Sequence, residues 1–292
     1  MKVAIFGHKL NALASCDALV AVLHVLQKNN VEVLVYESFF NEVANDIKSY
    51  DIKTFRTYED IIEKVQFMFS IGGDGTLLEA VTLVRDANIP VMGINVGRLG
   101  FLSSISPAEI ASAVQLVLDG KYSLDKRTLL ELDSATDKFV DCKYALNEIA
   151  VQKTDSSSMI IIHASLNGKF LNSYWADGLI IATPTGSTAY SLSCGGPIVM
   201  PNSDNFVITP VSPHNLNVRP IIVSSNDVIT LEIKGRSNSF LVSLDSRSEN
   251  VPTSLSIKIK KAAFQLSLVK LDNHDFLSTL REKLMWGADK RN

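Results

Sequence analysis

Residues 67–78 read FMFSIGGDGTLL, an apolar run that meets Gly72-Gly73-Asp74-Gly75-Thr76 and then resumes as a helical pattern. Glycine admits backbone conformations closed to other residues and lets another molecule approach the main chain. A glycine-rich turn that opens a helix also presents free N–H groups at the positive end of the helix dipole, a site suited to phosphate. An aspartate there repels a phosphate. It suits holding a metal through water or taking a proton from a hydroxyl, and it equally suits a plain helix N-cap. The standard phosphate motifs do not compete. No GxxxxGK[ST] occurs, Gly168-Lys169 lacks the upstream glycine, and Gly93, Gly97 and Gly100 do not have the GxGxxG spacing.

A second segment, ADGLIIATPTGSTAYSLSCGGPI at 176–198, is dense in small and hydroxyl residues. It reads as a tight loop with many hydrogen-bonding groups close to the main chain, either a binding loop or a structural turn. Tyr190 fits stacking on a ring or filling core. A third feature is Asn147-Glu148 within an apolar strand. Adjacent strand residues point to opposite faces, so at least one of the two is buried or faces a cleft. A buried polar group needs a partner, which ligand or protein can supply.

Positioning these residues requires two kinds of scaffold. Strand signals at Val3–Phe6, Val31–Tyr36, Phe67–Ile71 and Val91–Ile94 alternate with helical patterns at 11–28, Thr76–Ala87 and Pro107–Leu118. That alternation predicts a doubly wound, Rossmann-like parallel sheet in an α/β N-terminal domain over residues 1–122. From 123 to 272 short strand runs dominate: Tyr122–Leu132, Leu146–Gln152, Met159–Leu166, Leu179–Ala182, Ile221–Val223, Val228–Ile233, Phe240–Leu244 and Leu255–Lys260. With Asn167-Gly168 as a hairpin turn, they predict an all-β C-terminal sandwich domain. Residues 273–292 return to helical spacing over Asp275–Trp286, followed by Gly287 and a polar tail. The apolar face of that helix is expected to pack back on the α/β domain. Ser156–Ser158 reads as a loop.

A net charge of −3 over 292 residues gives no global basic footprint for nucleic acid. Cys16, Cys142 and Cys194 show no metal-ligand spacing and read as reduced thiols. His8, His24, His163, His214 and His274 form no HxxxH pair, and no dedicated metal site is expected. The first residues, MKVAIFGHKLN, have too short an apolar run for a leader or a membrane span, so a cytoplasmic location is expected.

Taken together, GGDGT at 72–76, NVGRLGFL at 95–102, NE at 147–148, DGLIIATPTGSTAYSLSCGGPI at 177–198, SPHNLNVRP at 212–220 and TLREKLMWG at 279–287 resemble the NAD kinase family. The resemblance covers nearly the whole chain. It implies transfer of the γ-phosphoryl of ATP, or another polyphosphate donor, to the 2′-hydroxyl of the adenosine ribose of NAD, at a site between an α/β domain and a β-sandwich. It implies Asp74 as proton acceptor, and main-chain groups of Gly72, Gly73, Gly75 and Thr76 on the donor phosphates. Asp74, Gly75, Asn147, Glu148 and Asp177 would contact NAD. Thr188, Ala189, Tyr190, Ser191, Leu192 and Ser193 would wrap its adenosine and nicotinamide ends. Phe101 would lie against adenine, and Ser212 and Arg247 match more weakly. Relatives carry a basic residue near Ser156–Ser158, where the nearest here is Lys153. A divalent ion, Mg²⁺, would arrive with ATP, and a homodimer or homotetramer is expected. A lipid acceptor would call for a basic amphipathic helix, which is not found. A sensor that had lost turnover would not need Asp74.

Overall fold

Strands covered on both faces read as continuous apolar runs. KVAIFG, EVLVY, FMFSI and VMGI do so, and they form the parallel sheet of the first unit. The computed structural model describes every residue except 9–11, 98–99, 135–137, 155–158, 273–274 and 287–292. Arg98 and Leu99 of the glycine motif, the Ser156–Ser158 loop, His274, Gly287 and the tail therefore lie outside the described residues.

In chain order the first elements are β1 (Lys2–Gly7), α1 (Ala12–Lys28), β2 (Glu32–Tyr36), α2 (Glu37–Val43), β3 (Ile52–Phe55), α3 (Tyr58–Ile61), β4 (Phe67–Ile71), α4 (Asp74–Val84), β5 (Val91–Ile94) and α5 (Ile110–Leu118). Then come β6 (Ser123–Leu132), β7 (Tyr144–Ala145), β8 (Glu148–Lys153), β9 (Ile160–Leu166), β10 (Lys169–Ala176), β11 (Gly178–Ala182), α6 (Tyr190–Ser193), β12 (Asn205–Val211), β13 (Ile221–Ser224), β14 (Ile229–Lys234), β15 (Ser239–Leu244), β16 (Arg247–Pro252), β17 (Ile257–Lys270) and α7 (Phe276–Leu284). The chain divides into two units, Met1–Lys126 with Leu266–Asn292, and Arg127–Gln265. The junctions fall inside β6 and β17, where no turn residue marks them. The expected ones, at 122 and 272, lie just before β6 and just after β17.

In the first unit the strands run β5-β4-β1-β2-β3, all parallel. Leu268 of β17 pairs with Val91 beyond β5. Helices α1 and α5 pack Leu19, Val22, Leu26, Val114 and Val117 into the core against Val3, Ile5, Phe67 and Phe69. The sheet grows to one side through β2 and β3, then to the other through β4 and β5. The carboxyl ends of β1 and β4 thus flank the switch point, where doubly wound sheets bind ligands. Helix α4 starts two residues earlier than the expected Thr76, because Asp74 and Gly75 already form its first turn, and it ends at Val84, with Arg85 as its C-cap at φ 45°. Helix α7 covers Phe276–Leu284 of the expected 275–286, with Asp275 as its N-cap and Met285 as a left-handed C-cap.

The second unit is a sandwich of antiparallel sheets. One runs β13-β12-β11-β8-β15-β16, and the other contains β10-β9-β14-β17 with β6 and β7. Ile149, Val151, Ile181, Phe240 and Val242 from the first meet Ile162, Leu231, Ile257 and Ile259 from the second in one buried core. Asn167 and Gly168, with φ of 50° and 77°, form the expected hairpin turn.

Candidate active site

The first cluster lies at the end of β4. The N–H of Gly72 donates to Ile94 O at 2.9 Å, which continues the strand to the lip of the sheet. A Cβ on Gly72 would come 2.1 Å from Thr76 Oγ1, so this glycine is dictated by packing against the buried Thr76. Gly73 and Gly75 are different. Both are exposed, with open space where a Cβ would stand. The first-turn N–H groups of α4 have no acceptor within the helix. The turn therefore leaves a bare main-chain edge at a positive helix end.

Asp74 is the first residue of α4, and Gly73 is the N-cap. The carboxylate of Asp74 accepts three main-chain N–H groups from one loop: Phe101 on Oδ2 at 2.8 Å, then Leu102 at 3.0 Å and Ser103 at 2.9 Å on Oδ1. A carboxylate has about four lone-pair sites. Oδ1 is filled, and Oδ2 keeps one lone pair. The close approach depends on Gly100, where a Cβ would lie 2.0 Å from Asp74 Oδ1. The loop is tied back by buried Asn95, whose Nδ2 donates to Ser103 O at 3.2 Å and whose Oδ1 accepts the N–H of Gly97 at 2.7 Å. This is the job of the glycines in NVGRLGFL, whose spacing matches no phosphate motif. Phe101 presents its ring to Phe276 of α7 at 6.2 Å between centroids, with Lys283 Nζ 5.9 Å above it.

The second cluster belongs to the sandwich. Alternation along β8 sends Ile149 and Val151 into the core and turns Ala150 to the outer face of its sheet. Ala150, Ile180, Ala182 and Val207 on that face are covered by the segment after β11, through Tyr190, Cys194 and Val199. The hydroxyl-rich stretch divides into two jobs. Buried hydroxyls build the turn: Thr183 Oγ1 donates to Leu146 O at 2.6 Å, Ser187 Oγ donates to Pro184 O at 2.7 Å and accepts the N–H of Val199 at 3.0 Å, and Ser191 Oγ shares a hydrogen with Thr209 Oγ1 at 2.8 Å. Thr188, Ala189, Tyr190 and Leu192 remain half-buried and Ser193 exposed.

Asn147, Glu148, Asp177 and Tyr190 come together beside this stretch. Asn147 is buried. Its main-chain O accepts from Thr183 N at 2.9 Å, and a Cβ on Gly186 would come 2.1 Å from it. Glu148 receives the Tyr190 N–H on its carboxyl, while its Oε2 is buried without a partner. Desolvation, and then the charge of Asp245, push the Glu148 carboxyl up to about 8. The Tyr190 hydroxyl accepts from Gln152 Nε2 at 2.9 Å. Asp177 pairs with Lys153 Nζ at 2.7 Å. Ser212 is exposed just past β12 in the left-handed region, φ 45°. Arg247 donates its guanidinium to the carbonyls of Cys142 and Tyr144, so it braces β7. Sequence reasoning missed Asp245, Gln152 and the bracing role of Thr183. Asp245 had no local signal, because its partners lie 97 to 99 positions upstream.

A bare glycine turn that opens a helix at the switch point of an α/β unit, in one chain with a hydroxyl-rich loop on a β-sandwich, fits a phosphotransferase. Residues 3–122 match the family model of the ATP-NAD kinase N-terminal domain, and residues 146–271 that of the C-terminal domain. The NAD kinase of Cytophaga hutchinsonii is 50% identical over 273 residues, 93% of each chain. The crystal structure of yeast NADH kinase complexed with NADH superposes with a TM-score of 0.88 at 27% identity, covering 99% of this chain and 89% of that one. An NAD kinase from Archaeoglobus fulgidus in complex with ATP gives 0.76 at 25% identity, covering 98% and 99%. The chain belongs to the NAD kinase family.

Proposed function

We propose that Asp74 takes the proton of the acceptor hydroxyl as this enzyme phosphorylates NAD with ATP. The adenosine 2′-hydroxyl oxygen forms its bond to the γ-phosphorus, its proton passes to Asp74 Oδ2, and the bond to the bridging oxygen breaks to leave ADP and NADP. Such transfers depend on positioning and charge neutralisation more than on covalent chemistry. The observation that carries the assignment is the Asp74 carboxylate, fixed by three N–H donors with one Oδ2 lone pair left. The open main chain of Gly73 and Gly75, with the N–H of buried Thr76, supplies donor-phosphate contacts; Gly72, expected among them, is buried and gives its N–H to Ile94 O. Asn147, Glu148, Asp177 and the Thr188–Ser193 stretch hold NAD, with Phe101 against the adenine ring and Ser212 at the periphery. Arg247 acts through the main chain it braces.

Among the described residues no three His, Cys, Asp or Glu side chains are grouped to hold a metal. The acid of the turn, Asp74, is already engaged by three N–H groups. These residues fit a Mg²⁺ carried by the donor phosphates, with Asp74 within the turn as the side chain that would face it through water. The ion would supply neutralisation of phosphate charge.

A cytoplasmic location is supported by cysteines that form no disulfide. Among the described residues no helix is long and apolar enough to cross a membrane. A homodimer or homotetramer is supported by Ile221 and Ile222, exposed on edge strand β13; sedimentation that finds only monomer at assay concentration removes that reading.

The deciding experiment mixes the protein with NAD, ATP and Mg²⁺ and follows NADP with a dehydrogenase specific for it. Asp74→Asn is expected to lower kcat by roughly 10²–10⁴, the usual contribution of a positioned base. Near-normal turnover in that variant would remove Asp74 as the base.

A further inference from the structure

Three successive N–H groups of an extended strand point alternately to its two sides and cannot all reach one acceptor. Those of Leu146, Asn147 and Glu148 do. Leu146 N–H donates to Asp245 Oδ2 at 2.8 Å, and Asn147 and Glu148 donate to Oδ1 at 2.8 and 3.1 Å. The chain ahead of β8 is therefore curled into a nest, the main-chain concavity that binds anions. The anion is a side chain of the turn between β15 and β16. That turn is tied in reciprocally, since Asp245 N–H donates to Glu148 O at 3.0 Å.

The opposite side of the nest is equally occupied. Leu146 O and Asn147 O accept from Thr183 Oγ1 and N, and Gly186 lies against Asn147 O. Every main-chain polar group from 146 to 148 thus has a named partner, and only the side chains remain to be directed. The reaction gives Asp245 no task of its own. Its charge is spent on three amides, and burial, which raises its carboxyl, is opposed by those amides and by the Arg247 guanidinium.

We propose that Asp245 is a positioning residue for NAD binding: by closing the Leu146–Glu148 nest it sets the direction in which Asn147 and Glu148 meet the dinucleotide. The proposal rests on Asn147 and Glu148 contacting NAD. Asp245→Asn keeps the shape but turns an amide NH₂ toward main-chain N–H groups, so the nest must open. KM for NAD is expected to rise at least about tenfold, with KM for ATP within about twofold of wild type and kcat reduced less than kcat/KM for NAD. An unchanged KM for NAD in a folded variant overturns the proposal. So does an equal loss toward both substrates, which would mark a general structural role.

Should the variant not fold, hydrogen exchange on the wild-type protein decides. The amides of 146–148 are expected to exchange as slowly as the paired amides of β8; exchange at the rate of an exposed turn overturns the nest. Asn147→Ala in the same assay separates the two readings. An unchanged KM for NAD there, with slow exchange at 146–148, sinks the NAD contact while leaving the nest in place.

Discussion

The Glu148 carboxyl keeps its proton into the neutral range because Oε2 is buried without a partner and Asp245 stands nearby. Its ordinary value is 4.5 and its folded value is about 8. The folded state therefore holds a proton that the unfolded chain releases between those limits. The stability this contributes is complete below pH about 4.5 and is lost as pH rises through about 8. Glu148→Gln removes the penalty of charging the site. The variant is expected to melt above wild type at pH 8 by an amount on the order of 2 kcal/mol, allowing for the residue's partial exposure, and to match it near pH 4.5. Calorimetry at several pH values reads this directly, and a difference that does not grow with pH contradicts the assignment. Gly100 offers a second test at this scale. A methyl group there would overlap Asp74 Oδ1 at 2.0 Å. Gly100→Ala is expected to lower kcat/KM on the order of 10–100-fold through misplacement of Asp74. Wild-type kinetics in that variant would show that the three-amide hold on Asp74 is not needed for turnover.

Turns with the same residue type serve different ends at the scale of elements. Gly168 needs its positive φ and has open space around it, whereas Gly186 has an ordinary φ and no space at all against Asn147 O. Gly168→Ala is expected to cost about 1 kcal/mol in stability with unchanged KM values. Gly186→Ala, by moving the Asn147 main chain, is expected to raise KM for NAD by roughly tenfold or more. Denaturant melts paired with steady-state kinetics separate the two, and equal effects on activity would contradict the division. The same distinction governs what could be read in advance. Local patterns such as the strands FMFSI and VMGI, the Asn167-Gly168 turn and the GGDG turn were legible because each is set by residues adjacent in sequence. Helix α2, with its single short apolar patch, and the lysine-bearing β3 were not. Strand β12 was hidden by Pro210, which fits because β13 pairs only as far as Ile208 and leaves one side of β12 open there. Strand β16, RSENVP, is an edge strand with mostly half-buried or exposed residues. Most contacts that make the site, from Gly100 to Asp74 and from Asp245 to Asn147, join residues 26 or more positions apart and leave no local trace.

At the scale of the whole chain, the α/β unit is assembled from both ends of the sequence, with Leu266–Asn292 returning to residues 1–126. The returning segment is anchored by Leu268, Leu271 and Leu280, all buried, and by the Phe276 ring against Phe101. Phe101 donates its main-chain N–H to Asp74 Oδ2. A packing defect in α7 thus reaches the proposed base through one ring contact and one hydrogen bond. Leu280→Ala removes a side chain that is 4% exposed. Such truncations cost about 2–4 kcal/mol where the site cannot collapse. The expected result is a lower melting temperature together with a fall in kcat, accompanied by a rise in KM for NAD because the displaced Phe101 ring is the one proposed to lie against adenine. A variant that melts early but retains wild-type kcat at a temperature where it is folded would show that α7 stabilises the unit without bearing on Asp74. One that raises KM for NAD with kcat unchanged would show that α7 bears on the proposed adenine contact of the Phe101 ring and not on Asp74.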